Sequence, residues 1–183
     1  MRIIAGIYGG RVLNRPKGLK TRPTSDRLRE TLFNILNPLI TDETVFLDLC
    51  AGTGAIGIEA LSRGIKHCTF VEISRKMCGL IEENLDDLEI PENKTEIICE
   101  PGESFLNRSK SSFDIVYFDP PYEMNYLPTL RLFGDENSKL LSVNATFVAE
   151  HSVRTSMPDL IGDLRRWRIL KQGDSALSFY ERN

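Results

Sequence analysis

The clearest pattern along the chain is an alternation of short apolar runs with longer segments that have helical spacing. The apolar runs show no strict polar alternation, which is typical of strands that are buried on both faces of a sheet. Strands that are separated by helices indicate parallel pairing, with the helices covering the sheet. The runs are TVFLDLC (44–50), HCTFVEI (67–73), TEIICE (95–100), FDIVYFD (113–119) and ATFVAEH (145–151), and the helical segments include AIGIEALSRG (55–64) and SRKMCGLIEENLDDL (74–88).

After residue 164 the pattern changes to two strand-like runs around a short turn. RRWRILKQ (165–172) and SALSFYER (175–182) flank Gly173 and Asp174, which favours an antiparallel pair. We therefore predict an α/β fold with a doubly wound, mostly parallel, seven-stranded sheet of the Rossmann-like type. The C-terminal pair forms its antiparallel edge.

The N-terminal part is predicted to be an appendage to this sheet. RIIAGIYGGRVLNRP (2–16) indicates two short strands around the turn at Gly9 and Gly10, and PKGLKTRP (16–23) indicates a loop. Thr24 or Ser25 can then cap a helix. Its core side would comprise Leu28, Leu32, Ile35 and Leu36, and Arg27, Arg29 and Glu30 would lie largely off that side.

Length and composition favour a single globular domain over residues 1–183, with residues 1–23 as its basic hairpin and loop. The chain has 183 residues, of which 41% are hydrophobic and 27% are charged, a mixture typical of soluble proteins. No apolar run approaches the length of a membrane span, so we expect a cytoplasmic protein without membrane contact. The four cysteines form no CxxC pair, so we expect buried thiols and no metal. Nothing demands more than a monomer.

Basic residues are concentrated at the start of the chain. Residues 1–30 contain eight Lys or Arg and two acidic residues, a net charge of +6, and the rest of the chain carries −9, which together give the overall −3. This segregation favours a polyanionic partner at one end of the molecule, although a solvated basic surface would give the same count. The candidate phosphate contacts are Arg11, Lys17, Lys20, Arg22, Arg27 and Arg29.

A glycine-rich loop follows the first predicted parallel strand. Gly52, Gly54 and Gly57 have the spacing of the dinucleotide fingerprint, in which backbone amides at a helix N-terminus approach a ligand. Asp48 lies at the strand end ahead of these glycines, where a carboxylate would repel phosphate and attract a cation. S-adenosylmethionine supplies such a cation through its amino group and its sulfonium.

Glu72 ends the second strand, about 20 residues beyond the first glycine of the loop. An acid at this distance commonly accepts hydrogen bonds from ribose hydroxyls in nucleotide sites. It does not separate S-adenosylmethionine from a dinucleotide, and the side chain could instead cap the helix that begins near Ser74.

The fourth apolar run ends in Asp119, Pro120, Pro121 and Tyr122, which are the candidate catalytic residues. In a doubly wound sheet this strand should lie beside the first one, at the switch point where ligands bind. The prolines lack amide hydrogens, so the turn presents oxygen acceptors, which an exocyclic amine requires. Tyr122 offers a flat face for a base. The alternative is a Pro-Pro turn that merely ends a strand.

Taken together, DLCAGTGAIGIEALSRG, FVEIS and FDPPY resemble class I methyltransferases that act on amino nitrogens. MRIIAGIYGGRVL, TRPTSDRLRETLFNIL and GDSALSFYE narrow the resemblance to bacterial small-subunit ribosomal RNA methyltransferases of the RsmD type. The resemblance implies transfer from S-adenosylmethionine to guanine N2 in 16S ribosomal RNA, within a small-subunit particle, with S-adenosylhomocysteine as product. The candidate cofactor contacts are Asp48, Ala51, Gly52, Thr53, Gly54, Glu72, Ile73, Gly102 and Glu103.

Two features depart from the usual pattern of this family. Cys50 replaces a common Phe, a change at an expected core position that should alter little, and Pro101 stands where relatives carry an acid near the adenine. Three other functions remain open at the level of sequence. These are methylation of DNA adenine or protein glutamine, nucleotide-dependent oxidation, and RNA binding without catalysis.

Overall fold

A computed structural model describes residues 1–16, 26–121 and 123–182, and its central feature is an eight-stranded sheet. The strand order is β3-β2-β1-β4-β5-β8-β7-β6, with parallel pairing from β3 to β5 and antiparallel pairing beyond it. The strands are β1 (Val45–Leu49), β2 (His67–Val71), β3 (Thr95–Ile98), β4 (Phe113–Phe118), β5 (Leu141–Ser152), β6 (Leu160–Ile161), β7 (Leu164–Gln172) and β8 (Ser175–Arg182).

All seven predicted strands of this sheet are present, and the fold class is confirmed. The eighth strand is the two-residue β6, which pairs with β7 and is too short to give a periodic signal in the sequence. The chain's last strand, β8, lies between β5 and β7, and Ser175 through Tyr180 are all buried within it. The antiparallel part is therefore three strands wide on the C-terminal side of β5.

Helices cover both faces of the sheet, as a doubly wound fold requires. One core cluster lies between the sheet and α1, α2 and α3, and a second lies between the sheet and α4 and α5. Apolar side chains of β4 alternate between these clusters, since Ile115 and Tyr117 join the first and Val116 and Phe118 the second. The helices are α1 (Asp26–Leu36), α2 (Ala55–Ser62), α3 (Arg75–Asp87), α4 (Gly102–Arg108) and α5 (Leu127–Gly134).

The predicted N-terminal strand pair is present only in a shortened form. The segment does fold back on itself, but only one isolated bridge, between Arg2 and Val12, has strand geometry. The backbone N–H of Ile3 donates to the carbonyl of Arg11 at 2.9 Å, and the glycine turn lies between them. The N–H of Leu13 also donates to the carbonyl of Met1 at 2.8 Å, so the two arms pair over a few residues, and the rest of residues 1–16 forms a loop with little regular structure.

This N-terminal loop is bound to α2 and α3 by buried polar groups. The Glu59 carboxylate of α2 accepts hydrogen bonds from the backbone N–H groups of Ile4 and Ala5, at 2.7 and 3.0 Å. On α3, the Asn84 side-chain oxygen accepts from the N–H of Asn14 at 2.7 Å. Such bonds satisfy backbone donors that would otherwise be unpaired, and they fix the loop on the helical layer.

Helix α1 has the predicted core side, but one of its basic residues is not where the spacing placed it. Leu28, Leu32 and Leu36 are buried and Arg27 is exposed, whereas Arg29 is fully buried. One nitrogen of its guanidinium donates to the carbonyl of Arg2 at 2.6 Å and contacts the Asp26 carboxylate at 3.0 Å. Arg29 was expected off the core face and is found beneath the N-terminal loop, because that loop supplies an acceptor there. The proposed caps at Thr24 and Ser25 lie outside the described residues.

No helix within the described ranges is long and apolar enough to span a membrane.

Candidate active site

A cavity of about 700 Å³ opens at the carboxyl ends of the central parallel strands. Strand β1 lies at the middle of this edge, with β2 on one side and β4 on the other, so the cavity is at the point where the strand order reverses. Its lining includes the loops that follow β1, β2 and β4 and one residue near the end of β5. The glycine loop and the Asp-Pro-Pro turn therefore contribute to one cavity.

The glycine loop begins at Cys50, which directly follows β1 and has a left-handed backbone conformation. Cys50 has φ of 68°, and its N–H and that of Ala51 both donate to the carbonyl of Val71 on β2. Gly52 and Gly54 also have positive φ, of 54° and 74°, which glycine adopts without the steric cost that a side chain imposes. These three residues with positive φ turn the chain from β1 into α2, whose N-cap is Gly54.

Gly57 has a packing role on the side of α2 that faces the sheet. A Cβ atom at this position would come within 2.3 Å of the Phe70 ring and 2.6 Å of the Cys68 sulfur. The third glycine thus lets α2 approach β2, as expected of the fingerprint. It is not part of the cavity lining.

Glu72 links the two loops at the cavity floor. One carboxylate oxygen accepts from the N–H of Gly52 at 2.9 Å, and the other accepts from the N–H of Ser74 at 2.8 Å. The second bond is to the N–H of the N-cap residue itself, one residue before α3 begins, so it fixes the backbone ahead of the helix and does not cap the first turn. Glu72 also lines the cavity, so its position is compatible with the predicted contact to a ribose, and the alternative role as a helix cap is not found.

Asp48 is buried beneath the glycine loop and lines the cavity. It accepts a hydrogen bond from the N–H of Gly57 at 2.9 Å. Burial raises the pKa of Asp48 to about 7, and that hydrogen bond and the neighbouring Glu72 carboxylate have smaller, opposing effects on it. A buried carboxylate with this pKa would be favoured in its ionised form by a cation in the cavity.

Asp119 directly follows β4 on the cavity wall, and Pro120 and Pro121 continue the lining. The N–H of Asp119 donates to the carbonyl of Leu49 at 3.3 Å, which continues the pairing of β4 with β1. Burial raises the pKa of the Asp119 carboxyl well above its usual value, and the charges of Glu150 and Asp48 add to this effect. Tyr122 lies outside the described residues.

Two lining residues beside Asp119 were not identified from the sequence. Tyr117 on β4 and Glu150 on β5 are both buried, and the Tyr117 hydroxyl donates to the Glu150 carboxylate. The only available sequence signal was the position of Glu150 near the end of the fifth apolar run. Because acids occur at the ends of many strands, this position alone could not identify Glu150 as a site residue.

A cationic region lies at the other end of the cavity, where the N-terminal loop meets α1. Met1, Arg15 and Arg29 line this region. The Nε and Nη1 atoms of the buried Arg29 have no hydrogen-bond partner among the residues that the structure describes. A buried guanidinium with unmet donors is a binding position for an anionic group such as a carboxylate.

The predicted cofactor contacts divide into lining and non-lining residues. Asp48, Ala51, Gly52, Thr53, Glu72, Ile73 and Gly102 line the cavity, together with Pro101. Gly54 shapes the glycine loop but does not line the cavity. Glu103 is exposed on the first turn of α4 and also lies outside the lining. Cys50 is a lining residue and not the pure core position that its usual counterpart suggested.

The predicted RNA contacts are not all surface groups. Arg11 and Arg27 are exposed, although one Arg11 nitrogen donates to the carbonyl of Asp87 at 2.8 Å. The buried side chain of Arg29 faces the cavity and not the outer surface. Lys17, Lys20 and Arg22 lie outside the described residues, and their role stays a prediction.

Comparison with known proteins places this chain in a family. A family model described as Conserved hypothetical protein 95 matches residues 1–181. Ribosomal RNA small subunit methyltransferase D of Haemophilus influenzae is 39% identical, over 98% of this chain and 91% of that protein. The protein of the same name from Escherichia coli strain K12 is 34% identical, over 100% of this chain and 90% of that protein.

A solved structure has the same fold over the full length. "Putative methyltransferase yhhF" from Escherichia coli matches with a TM-score of 0.87 and 35% identity, covering 100% of this chain and 98% of that one. The agreement extends from the N-terminal loop to the antiparallel edge. This chain belongs to the Conserved hypothetical protein 95 family, the RsmD family of methyltransferases.

Proposed function

We propose that this protein transfers a methyl group from S-adenosylmethionine to the exocyclic N2 of a guanine in small-subunit (16S) ribosomal RNA. The observation that carries this proposal is the joint lining of one cavity by the glycine loop and the Asp119 turn. Methyl transfer requires donor and acceptor side by side, and these two elements suit a nucleoside cofactor and an amine. The names of the relatives support ribosomal RNA as the substrate class.

The charges along the cavity fit S-adenosylmethionine better than a dinucleotide. Asp48, Glu72, Asp119 and Glu150 supply carboxylates around most of the lining, and Arg15 and Arg29 supply cations at one end. The cofactor carries two cationic groups and one carboxylate, so it matches both regions. A pyrophosphate would face the acids with two negative charges, which argues against the oxidoreductase alternative.

The catalytic contribution of the chain would be alignment and acceptance of a proton. The cofactor supplies an electrophilic methyl on a sulfonium, so the guanine N2 lone pair can attack in line with the departing sulfur. Asp119 would accept a hydrogen bond from N2–H, hold the amine in that orientation, and take the proton as the positive charge develops on nitrogen. The bond from N2 to the methyl carbon forms as the bond from that carbon to sulfur breaks.

The direct test is methyl transfer from labelled S-adenosylmethionine to ribosomal particles that lack the modification. Nucleoside analysis of the product RNA should give N2-methylguanosine as the labelled species. Naked ribosomal RNA and DNA serve as parallel substrates. Label in methyladenosine, in DNA or in protein would contradict the substrate that we propose.

Cofactor affinity should depend on pH through Asp48. The Asp48 carboxyl has its pKa raised to about 7 in the free protein, so below that pH a cationic ligand must displace a proton. Affinity for S-adenosylmethionine is therefore expected to strengthen about tenfold from pH 5.5 to pH 7, where the ligand's amino group remains cationic. Calorimetric titration at several pH values measures this.

The matched variant is Asp48→Asn, which keeps an oxygen for the N–H of Gly57 and cannot ionise. It should bind the cofactor more weakly at pH 7 and lose most of the pH dependence over the same range. An equally steep dependence in the variant would assign the proton to another group, such as Asp119.

RNA binding should depend on salt through exposed cations of the N-terminal region. If about four phosphates are neutralised, the logarithm of the binding constant falls with the logarithm of salt at a slope of roughly −3. The double variant Arg11→Gln, Arg27→Gln should make the slope less negative by about 1.4, because two exposed cations are removed. Lys110→Gln is the control, since this exposed lysine follows α4, which packs on the opposite face of the sheet from α1, α2 and α3. A slope near zero for the unmodified protein would exclude these phosphate contacts.

A further inference from the structure

Glu150 and Asp119 occupy adjacent positions on one face of the sheet. In the parallel register of β4 with β5, Tyr117 lies opposite Val148 and Phe118 lies opposite Ala149, so Asp119 and Glu150 come next. Tyr117 and Val148 face the same core cluster, and side chains two residues further along a strand point the same way. Neighbouring strands are about 4.8 Å apart, which brings the two carboxyl groups to one wall of the cavity.

The Glu150 carboxylate is held in position by the hydroxyl of Tyr117. Glu150 is 4% exposed and Tyr117 is 1% exposed, and the tyrosine hydroxyl donates to one oxygen of the glutamate. Both residues also line the cavity. A hydrogen bond from a buried hydroxyl limits rotation of the carboxylate, so Glu150 presents an acceptor of fixed orientation.

Two adjacent carboxylates form an unusual surface for a nucleobase. Guanine carries two kinds of donor side by side on its Watson–Crick edge, the ring N1–H and the exocyclic N2–H groups. Adenine and 2,6-diaminopurine carry a lone pair at N1 in place of that hydrogen. A carboxylate oxygen beside such a lone pair would face another acceptor and would gain no hydrogen bond from the base.

We propose that Glu150 is a specificity-determining residue that accepts the N1–H of the target guanine, while Asp119 accepts N2–H. This inference rests on the proposed methylation of guanine N2 and adds the means by which the base is selected. Tyr117 is a positioning residue that acts through Glu150. A site that is built to hydrogen-bond a substrate N–H can reject the analogue that lacks it by several orders of magnitude.

The test compares guanine with 2,6-diaminopurine at the position that the unmodified protein methylates. Both bases carry the N2 amine, and they differ at N1 and at the six-position substituent. For the unmodified protein, kcat/KM for guanine should exceed that for diaminopurine by at least ~100-fold. Glu150→Gln, whose amide can donate to N1, should reduce this ratio at least tenfold by slowing guanine and improving diaminopurine.

Two further variants separate specificity from structure. Tyr117→Phe removes the positioning hydroxyl and should lower the same ratio by a smaller factor, with kcat/KM for guanine reduced. Glu150→Ala removes the acceptor without adding a donor, so it should lower the rate with guanine and leave diaminopurine almost unchanged. Cofactor affinity and the melting temperature are measured for each variant, and neither should follow the ratio.

The outcomes distinguish this inference from the proposal on which it rests. If the unmodified protein labels no guanine N2 in any ribosomal particle, the proposed function fails. If it labels guanine but accepts diaminopurine equally well, the specificity role of Glu150 is wrong whatever the variants do. The role is also wrong if Glu150→Gln slows both bases by the same factor, since that result indicates a structural residue.

Discussion

Replacing Asp119 by alanine is expected to lower the rate of methyl transfer at least ~100-fold, the size typical of a lost general base and orienting acceptor. Asp119 is the carboxylate at the end of β4, next to Pro120 and Pro121 in the cavity wall. Burial and two neighbouring acids raise the pKa of its carboxyl, which makes the ionised carboxylate a stronger proton acceptor. Single-turnover rates with saturating cofactor measure the effect directly.

The controls for Asp119 separate catalysis from binding. S-adenosylmethionine affinity should change about tenfold or less, because the glycine loop, Glu72 and the cationic region remain intact. Asp119→Asn keeps an acceptor oxygen and loses the basic group, so its rate should lie between those of the unmodified protein and the alanine variant. Asp42→Ala, at an exposed loop position before β1, should have no effect. Retention of more than a tenth of the rate by Asp119→Ala would remove this residue from the chemistry.

Gly57→Ala is expected to destabilise the fold by about 1 to 3 kcal/mol, the usual cost of overpacking a core. The added Cβ would meet the Phe70 ring at 2.3 Å and the Cys68 sulfur at 2.6 Å, both of which are fully buried. Helix α2 would have to move away from β2, and the glycine loop at its N-terminus would move with it. Urea unfolding gives the free energy, and cofactor titration gives the effect on the loop.

Gly79→Ala is the matched control for the same substitution in a helix. Gly79 lies in α3, and a Cβ there would meet nothing within 4 Å. Removing the backbone freedom of a helical glycine should stabilise the protein by about 0.5 to 1 kcal/mol. Equal and small effects at both positions would show that α2 is not closely packed on the sheet.

The sheet could be predicted from the sequence because burial on two faces leaves continuous apolar runs. Each of the five parallel strands has such a run, and the carboxyl-end residues Asp48, Glu72 and Asp119 follow from the strand ends. Chain order then placed β4 beside β1, as found. Helices between the strands were predicted in general, but α4 and α5, of seven and eight residues, were not among the segments located in the sequence.

The errors come from contacts between distant parts of the chain. Arg29 looked like a surface residue by its spacing on α1, and its burial depends on the carbonyl of Arg2, a contact that this spacing cannot show. The N-terminal segment has strand-forming residues, yet Glu59 and Asn84 attract its backbone donors to the helices. Glu150 resembles any acid at a strand end until its hydrogen bond with Tyr117 is known.

The interior position of β8 has a consequence for biosynthesis. A polypeptide that stops before Ser175 lacks the strand that joins β5 to β7, so its sheet would break into two pieces and not merely lose an edge. The edge of β5 that normally pairs with β8 would expose unpaired backbone groups to other chains. Strand β7 would have no strand to link it to the rest of the sheet. Translation must therefore reach the final strand before the domain closes, which makes any prematurely terminated product a substrate for chaperones and proteases.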